Sequence, residues 1–190
     1  MRRLRSFAAL AAASAALVPL AAAVPMRIAV DRPEAAGGHY RLILRSPAIP
    51  KNGTIPARFV DVSPPLSWTP VPGAASYIVI VEDADAGNRK LRLPFLHWIA
   101  WNIPYDAKSL PEGVSTKAGG MVEGRNDAGK LGYFGPHPPA GPPHHYHFEM
   151  LAVSNLVNLP AGSTREQVLG AVKDQVVGTG EFVATYASGR

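Results

Sequence analysis

The chain has no cysteine in its 190 residues. Disulfides, thiolate nucleophiles, Cys-ligated zinc and thiol redox switching are therefore excluded, and the fold must rest on its core. Charge is sparse as well: Asp, Glu, Lys and Arg make up 17% and aromatics 8%. There is no long low-complexity tract and no internal repeat. With 47% hydrophobic residues, the composition suits one compact domain with a substantial core. Signatures of catalysis are also missing. No H-E-x-x-H and no G-x-S-x-G occurs, and Ser63 and Ser67 lie in a proline-rich turn with no base and orienter in evident reach. These absences weigh against an enzyme.

The N-terminal stretch "MRRLRSFAALAAASAALVPLAAAVPM" begins with Arg2, Arg3 and Arg5, runs apolar to Leu20, and offers Ala21-Ala22-Ala23 for cleavage. This is the three-part layout of a secretory signal peptide, expected over residues 1–23, with a domain over 24–190 exported to the periplasm or beyond. The run is Ala-dominated, broken by Pro19 and barely long enough to span a bilayer, so stable membrane insertion is not expected. Cleavage would leave 16 basic residues against 14 acidic ones. So small a surplus gives no reason to expect a nucleic acid partner.

After Pro25, short apolar runs alternate with proline and glycine clusters, which points to β structure. Strands are expected at "HYRLILRS" (39–46), "SYIVIVED" (76–83), "LHWIAWNI" (96–103) and "HYHFEMLAV" (145–153). Further on, Ser163 and Glu166 have capping-box spacing. Val168, Leu169, Val172 and Val176 follow at helical spacing, with Gly178 as the stop and "EFVATY" as a last short strand. The expected fold is mainly β, an antiparallel sandwich-like core with a short C-terminal helix and long Pro/Gly-rich loops.

Side chains alternate faces along a strand. By that rule His97 shares a face with Ile99 and Trp101, Asp83 continues the row of Tyr77, Val79 and Val81, and His144 joins Tyr146, Phe148 and Met150. Three strands thus place a polar group at the end of an apolar row. If those ends converge, they form a small polar pocket with apolar walls. Asp83 and Asp85 read equally well as turn residues whose carboxylates bond nearby backbone. Asp83, His97 and His144 also offer the mixed N and O donors of a divalent-metal site, with His137, His145 and His147 adding histidine density.

In order and spacing, "SPPLSW", "EDADA", "LHWIAWNIP" and "GRNDAGKLGYFGPHPPAGPPHHYHFEMLAV" resemble the phosphatidylethanolamine-binding protein family, in its bacterial Raf-kinase-inhibitor-like branch. The resemblance runs from about Tyr40 to Tyr186. It implies a β-sandwich-like fold and a small pocket that accepts phosphate, phosphoethanolamine-like head groups or acetate-like anions, without a cofactor. By motif it assigns Asp83, Asp85, His97, His144 and Tyr146 to that pocket, with Gly135, Pro136, Pro138 and Pro139 forming one wall. It also leaves room for an inhibitor acting on a protease or envelope protein through surface loops. The chain departs from the pattern in places. D-P-D-A-P reads Asp83-Ala84-Asp85-Ala86-Gly87, H-R-Y reads His144-His145-Tyr146, and His137 stands where cysteine is common. Gly87 is expected to loosen that edge of the pocket.

Overall fold

The computed structural model describes residues 39–88, 93–114 and 120–189. The leader expected over 1–23 lies outside them. The strands are β1 (Tyr40–Arg41), β2 (Leu44–Arg45), β3 (Leu66–Trp68), β4 (Ser76–Asn88), β5 (Leu93–Pro104), β6 (Ser109–Leu110), β7 (Val122–Glu123), β8 (His144–Val153) and β9 (Val176–Tyr186), with one helix, α1 (Arg165–Val172), before β9. A large sheet runs β1-β9-β8-β4-β5-β7 and a small one β2-β3-β6. All pairings are antiparallel except β1 against β9.

Alternation along the long strands produces three layers. One face of the large sheet (Tyr77, Val79, Val81, Tyr146, Phe148, Met150) packs against Leu44, Leu66, Trp68 and Leu110 of the small sheet. The opposite face (Ile78, Ile80, Leu151, Val153) packs against Val168, Leu169 and Val172 of α1. Strands buried on both faces read as continuous apolar runs, which is how "YIVIV" and "EMLAV" read here. The helix is further pinned by Arg165, whose guanidinium donates to Glu82 at 2.8 Å with both side chains buried.

Three expectations need correction. The run 39–46 is two separate two-residue strands, β1 in the large sheet and β2 in the small one. The capping box falls one residue later. Thr164 N–H donates to Gln167 Oε1, and Gln167 N–H to Thr164 Oγ1, while Ser163 Oγ donates to Pro160 O. Gly178 does not stop the helix. It lies inside β9, where a Cβ would press within 2.9 Å of Tyr40 O, so the glycine lets β1 run close alongside.

Trp98 is fully buried between the two sheets. Trp98→Ala is expected to cost about 3–5 kcal/mol in denaturant unfolding, and a loss below about 1 kcal/mol would remove it from this core.

Candidate functional site

The site lies where the middle of β4, the first half of β5 and the start of β8 meet, on the small-sheet side. Asp83 pairs across with Tyr146 on one side and Phe95 on the other. Its position continues the row of Tyr77, Val79 and Val81, and His144 continues that of Tyr146, Phe148 and Met150, as alternation predicts. In β5 the alternation breaks. Val81 pairs with Trp98 but Glu82 with Leu96, which leaves His97 as an extra residue in a β-bulge. Trp98 and His97 therefore both face the small-sheet side, while Ile99 and Trp101 point toward the helix. The expected shared face of His97, Ile99 and Trp101 is overturned.

The long loop before β8 is fastened to β5. Asp127 N–H donates to Leu96 O and Leu96 N–H returns to Asp127 Oδ2, at 3.0 and 2.7 Å. Buried Asn126 donates to Gly132 O and accepts from Ala128 and Lys130 N–H. Phe134 N–H reaches His97 O at 2.9 Å. Beyond it, Gly135 packs so tightly on the Phe59 and Val60 carbonyls that a Cβ would collide with them. Tyr133 Oη anchors the same approach by donating to Phe59 O at 2.8 Å. Ser188 Oγ donates to Pro138 O and ties the proline wall to the chain beyond β9.

Asp83 is buried and accepts three hydrogen bonds. Asp85 and Ala86 N–H donate to Oδ1 at 2.9 and 3.1 Å, and His144 Nδ1 donates to Oδ2 at 2.8 Å. His97 Nδ1 lies 2.6 Å from Phe134 O, and His137 Nδ1 lies 3.0 Å from Gly135 O. Carbonyl and carboxylate oxygens only accept, so each of these rings carries its proton on Nδ1. The His97, Phe134 and His137 rings stack in series, with centroids 5.8 and 4.8 Å apart. Lys130 Nζ sits 5.3 Å from the Phe134 ring. Tyr146 abuts His97 edge-on at 5.2 Å, and its Oη is buried without a hydrogen-bond partner of ordinary geometry. Burial first, and then the nearby Asp83 charge, push the Tyr146 phenol up, so it stays protonated.

These groups enclose a cavity of about 110 Å³ lined by Asp83, Ala86, Phe95, His97, Phe134, His137, Pro138, Pro139 and His144. The structure thus brings Asp83, His97, His144, Pro138 and Pro139 together. Tyr146 stands behind His97, Gly135 packs behind the wall against the Phe59 and Val60 carbonyls, and Pro136 is not in the lining. Asp85 turns away: its carboxylate accepts from the backbone and ring of His145, at 2.7 and 2.8 Å, on the exposed side. Sequence reading missed Ala86, Phe95, Phe134 and His137 as lining; Ala86, Phe134 and His137 sit within motifs it had singled out, and Phe95 immediately precedes one. Gly87 does not loosen the edge. At φ +98° it lies against the β5 backbone at Leu93 and Phe95, where a Cβ would collide. A larger, shallow depression of about 620 Å³ near Tyr105 and Leu156 has none of these ionisable groups in its lining.

Asp83, His145 and His147 are engaged in carboxylate–imidazole pairs, and among the described residues no three His, Asp or Glu side chains converge as a metal-holding group.

A two-sheet β core with a strand-end pocket walled by a proline loop defines a recognisable class of protein. The model of the phosphatidylethanolamine-binding protein family matches residues 45–187, and the chain belongs to that family. It is 38% identical over 154 residues to a UPF0098 protein of Methanothermobacter thermautotrophicus, covering 77% of this chain and 99% of that one. It is 33% identical over 168 residues to a Mycobacterium tuberculosis protein named as lipoprotein LppC, covering 86% and 81%. Among solved structures, a phosphatidylethanolamine-binding protein homologue of Chlamydia trachomatis superposes with TM-score 0.71 at 31% identity, covering 78% of this chain and 99% of that one. Escherichia coli YbcL gives 0.69 at 29%, with the same coverage.

Burial holds the His97 imidazole below its ordinary value of 6.5, against the opposing pull of Phe134 O and Asp83. The unfolded chain therefore binds a proton there more readily. His97 contributes stability that is present above about pH 6.5 and is lost as pH falls toward its folded value. Unfolding midpoints measured across that range should decline on acidification more steeply for the native protein than for His97→Gln. Equal slopes would exclude the assignment.

Proposed function

We propose that the chain is an exported binding protein for small phosphorylated or anionic ligands, working by occupancy of this pocket rather than by turnover, and able to modulate a protein partner through the pocket face. One observation carries the reading: buried Asp83 orients His144 at the rim of a cavity whose other polar groups are His97 and His137, walled by prolines. The enclosure fits a head group rather than a whole lipid. Imidazoles are suited to it because a single proton turns a ring nitrogen from acceptor to donor. Lys130, next to the ring stack, adds a positive charge. A bound catalytic metal finds little support in the paired carboxylates, and the described residues offer no hydroxyl nucleophile in the lining.

Export is supported by the basic, apolar and small-residue layout of the N-terminus. The name lipoprotein carried by the mycobacterial relative agrees with an envelope setting. Among the described residues no helix is long and apolar enough to cross a membrane.

His97→Ala and His144→Ala should each weaken binding of O-phosphoethanolamine or inorganic phosphate, followed by titration of the histidine ring NMR signals, while unfolding stays cooperative. Phosphate binding that survives both substitutions removes the pocket from the function.

A further inference from the structure

The direction in which the pocket's protons point narrows what it can hold. His97, His137 and His144 all line the cavity, and each has its Nδ1–H turned to a fixed acceptor: Phe134 O, Gly135 O and Asp83 Oδ2. A neutral ring so placed has only the Nε2 lone pair left. Four backbone positions of the lining add no donor. Pro138 and Pro139 have no N–H, Ala86 N–H is given to Asp83, and Phe134 N–H to His97 O. In their neutral state the three imidazoles thus offer the cavity acceptors beside a buried carboxylate, the reverse of what a bare anion requires.

Resting on the anion-binding reading above, we propose that the pocket selects oxyanions that bring their own proton, hydrogen phosphate and protonated phosphomonoesters, and rejects the isosteric sulfate at neutral pH. The ligand O–H donates to an imidazole Nε2, and Lys130 beside the stack offsets the remaining charge. Sulfate has no proton at neutral pH, so its oxygens would face lone pairs and the Asp83 charge, an uncompensated burial. Sulfate can enter only when a ring takes up a proton, which makes its binding acid-dependent. The titratable groups facing the cavity are Asp83 from β4, His97 from β5, His144 from β8 and His137 from the loop. Tyr146 lies behind His97, and the Asp85–His145 pair lies on the exposed side of the rim. Asp83 sets the His144 tautomer. In Asp83→Asn the amide oxygen would keep the two backbone N–H donors and turn its NH₂ toward His144 Nδ1. The imidazole proton would then move to Nε2 and face the cavity.

The test is calorimetry of the protein with inorganic phosphate and with sulfate at pH 7.5 and pH 5.5, each in two buffers of different ionisation enthalpy. At pH 7.5 phosphate is expected to bind at least about tenfold tighter than sulfate. Sulfate should gain affinity at pH 5.5 with net proton uptake. Asp83→Asn should narrow the phosphate–sulfate ratio at pH 7.5 and move the His144 ¹⁵N signals to the Nε2–H pattern. A folded Asp83→Asn protein with an unchanged ratio overturns the tautomer argument. Equal affinities at pH 7.5 without proton uptake overturn the selectivity while leaving anion binding in place. Failure of both ions to bind at either pH overturns the anion-binding reading itself, and this inference with it.

Discussion

The place of His97 in the cavity depends on one additional residue in β5. Were β5 regular, Trp98 could face the small sheet only by sending His97 toward the helix. The bulge lets both side chains leave on the same side, so the strand supplies a core tryptophan and a pocket histidine in succession. The cost of an unpaired residue is offset by what surrounds it: His97 O accepts from Phe134 N–H and His97 Nδ1 donates to Phe134 O. That reciprocal pair replaces ladder bonds lost at the bulge with bonds to the loop. The irregularity in the sheet and the position of the loop are therefore one feature.

Much of the plan could be read from the sequence, and the failures have physical causes. Rows in β4 and β8 were legible because their mutual register runs without a shift from Ser76 to Asp83. β5 was not, because alternation carries no mark of an inserted residue. The cap was misplaced by one position because Ser163 with Glu166 and Thr164 with Gln167 satisfy the same pattern, and in the structure Ser163 Oγ is instead taken up by Pro160 O in the preceding turn. β1 was invisible as a separate strand because its partner β9 comes near the end of the chain. The site residues came mostly from family motifs rather than periodicity. Even so, the motifs could not tell that Asp85 faces His145 on the outside, since that depends on the bend closed by Asp83 Oδ1.

Adjacent acids in the middle of β4 divide the labour between layers. Glu82 points to the helix side and meets Arg165, fixing the start of α1. Asp83 points the other way and organises the pocket. A buried ion pair contributes little net stability but is strongly destabilising when one partner is lost. The helix and the pocket are thus joined through a single peptide unit, although their side chains lie on opposite faces of the sheet.

The size of the cavity has a consequence for how tightly anything can be held there. A cavity of about 110 Å³ has the scale of a compact ligand such as a tetrahedral head group with its five heavy atoms. The best small ligands gain at most about 1.5 kcal/mol per heavy atom. Five buried atoms then give at most about 7.5 kcal/mol, a dissociation constant no tighter than a few micromolar. Tighter binding would have to come from contacts outside the pocket. A ligand held only through this pocket, as proposed, would exchange quickly with its surroundings, and its filling would follow the ambient concentration rather than store it.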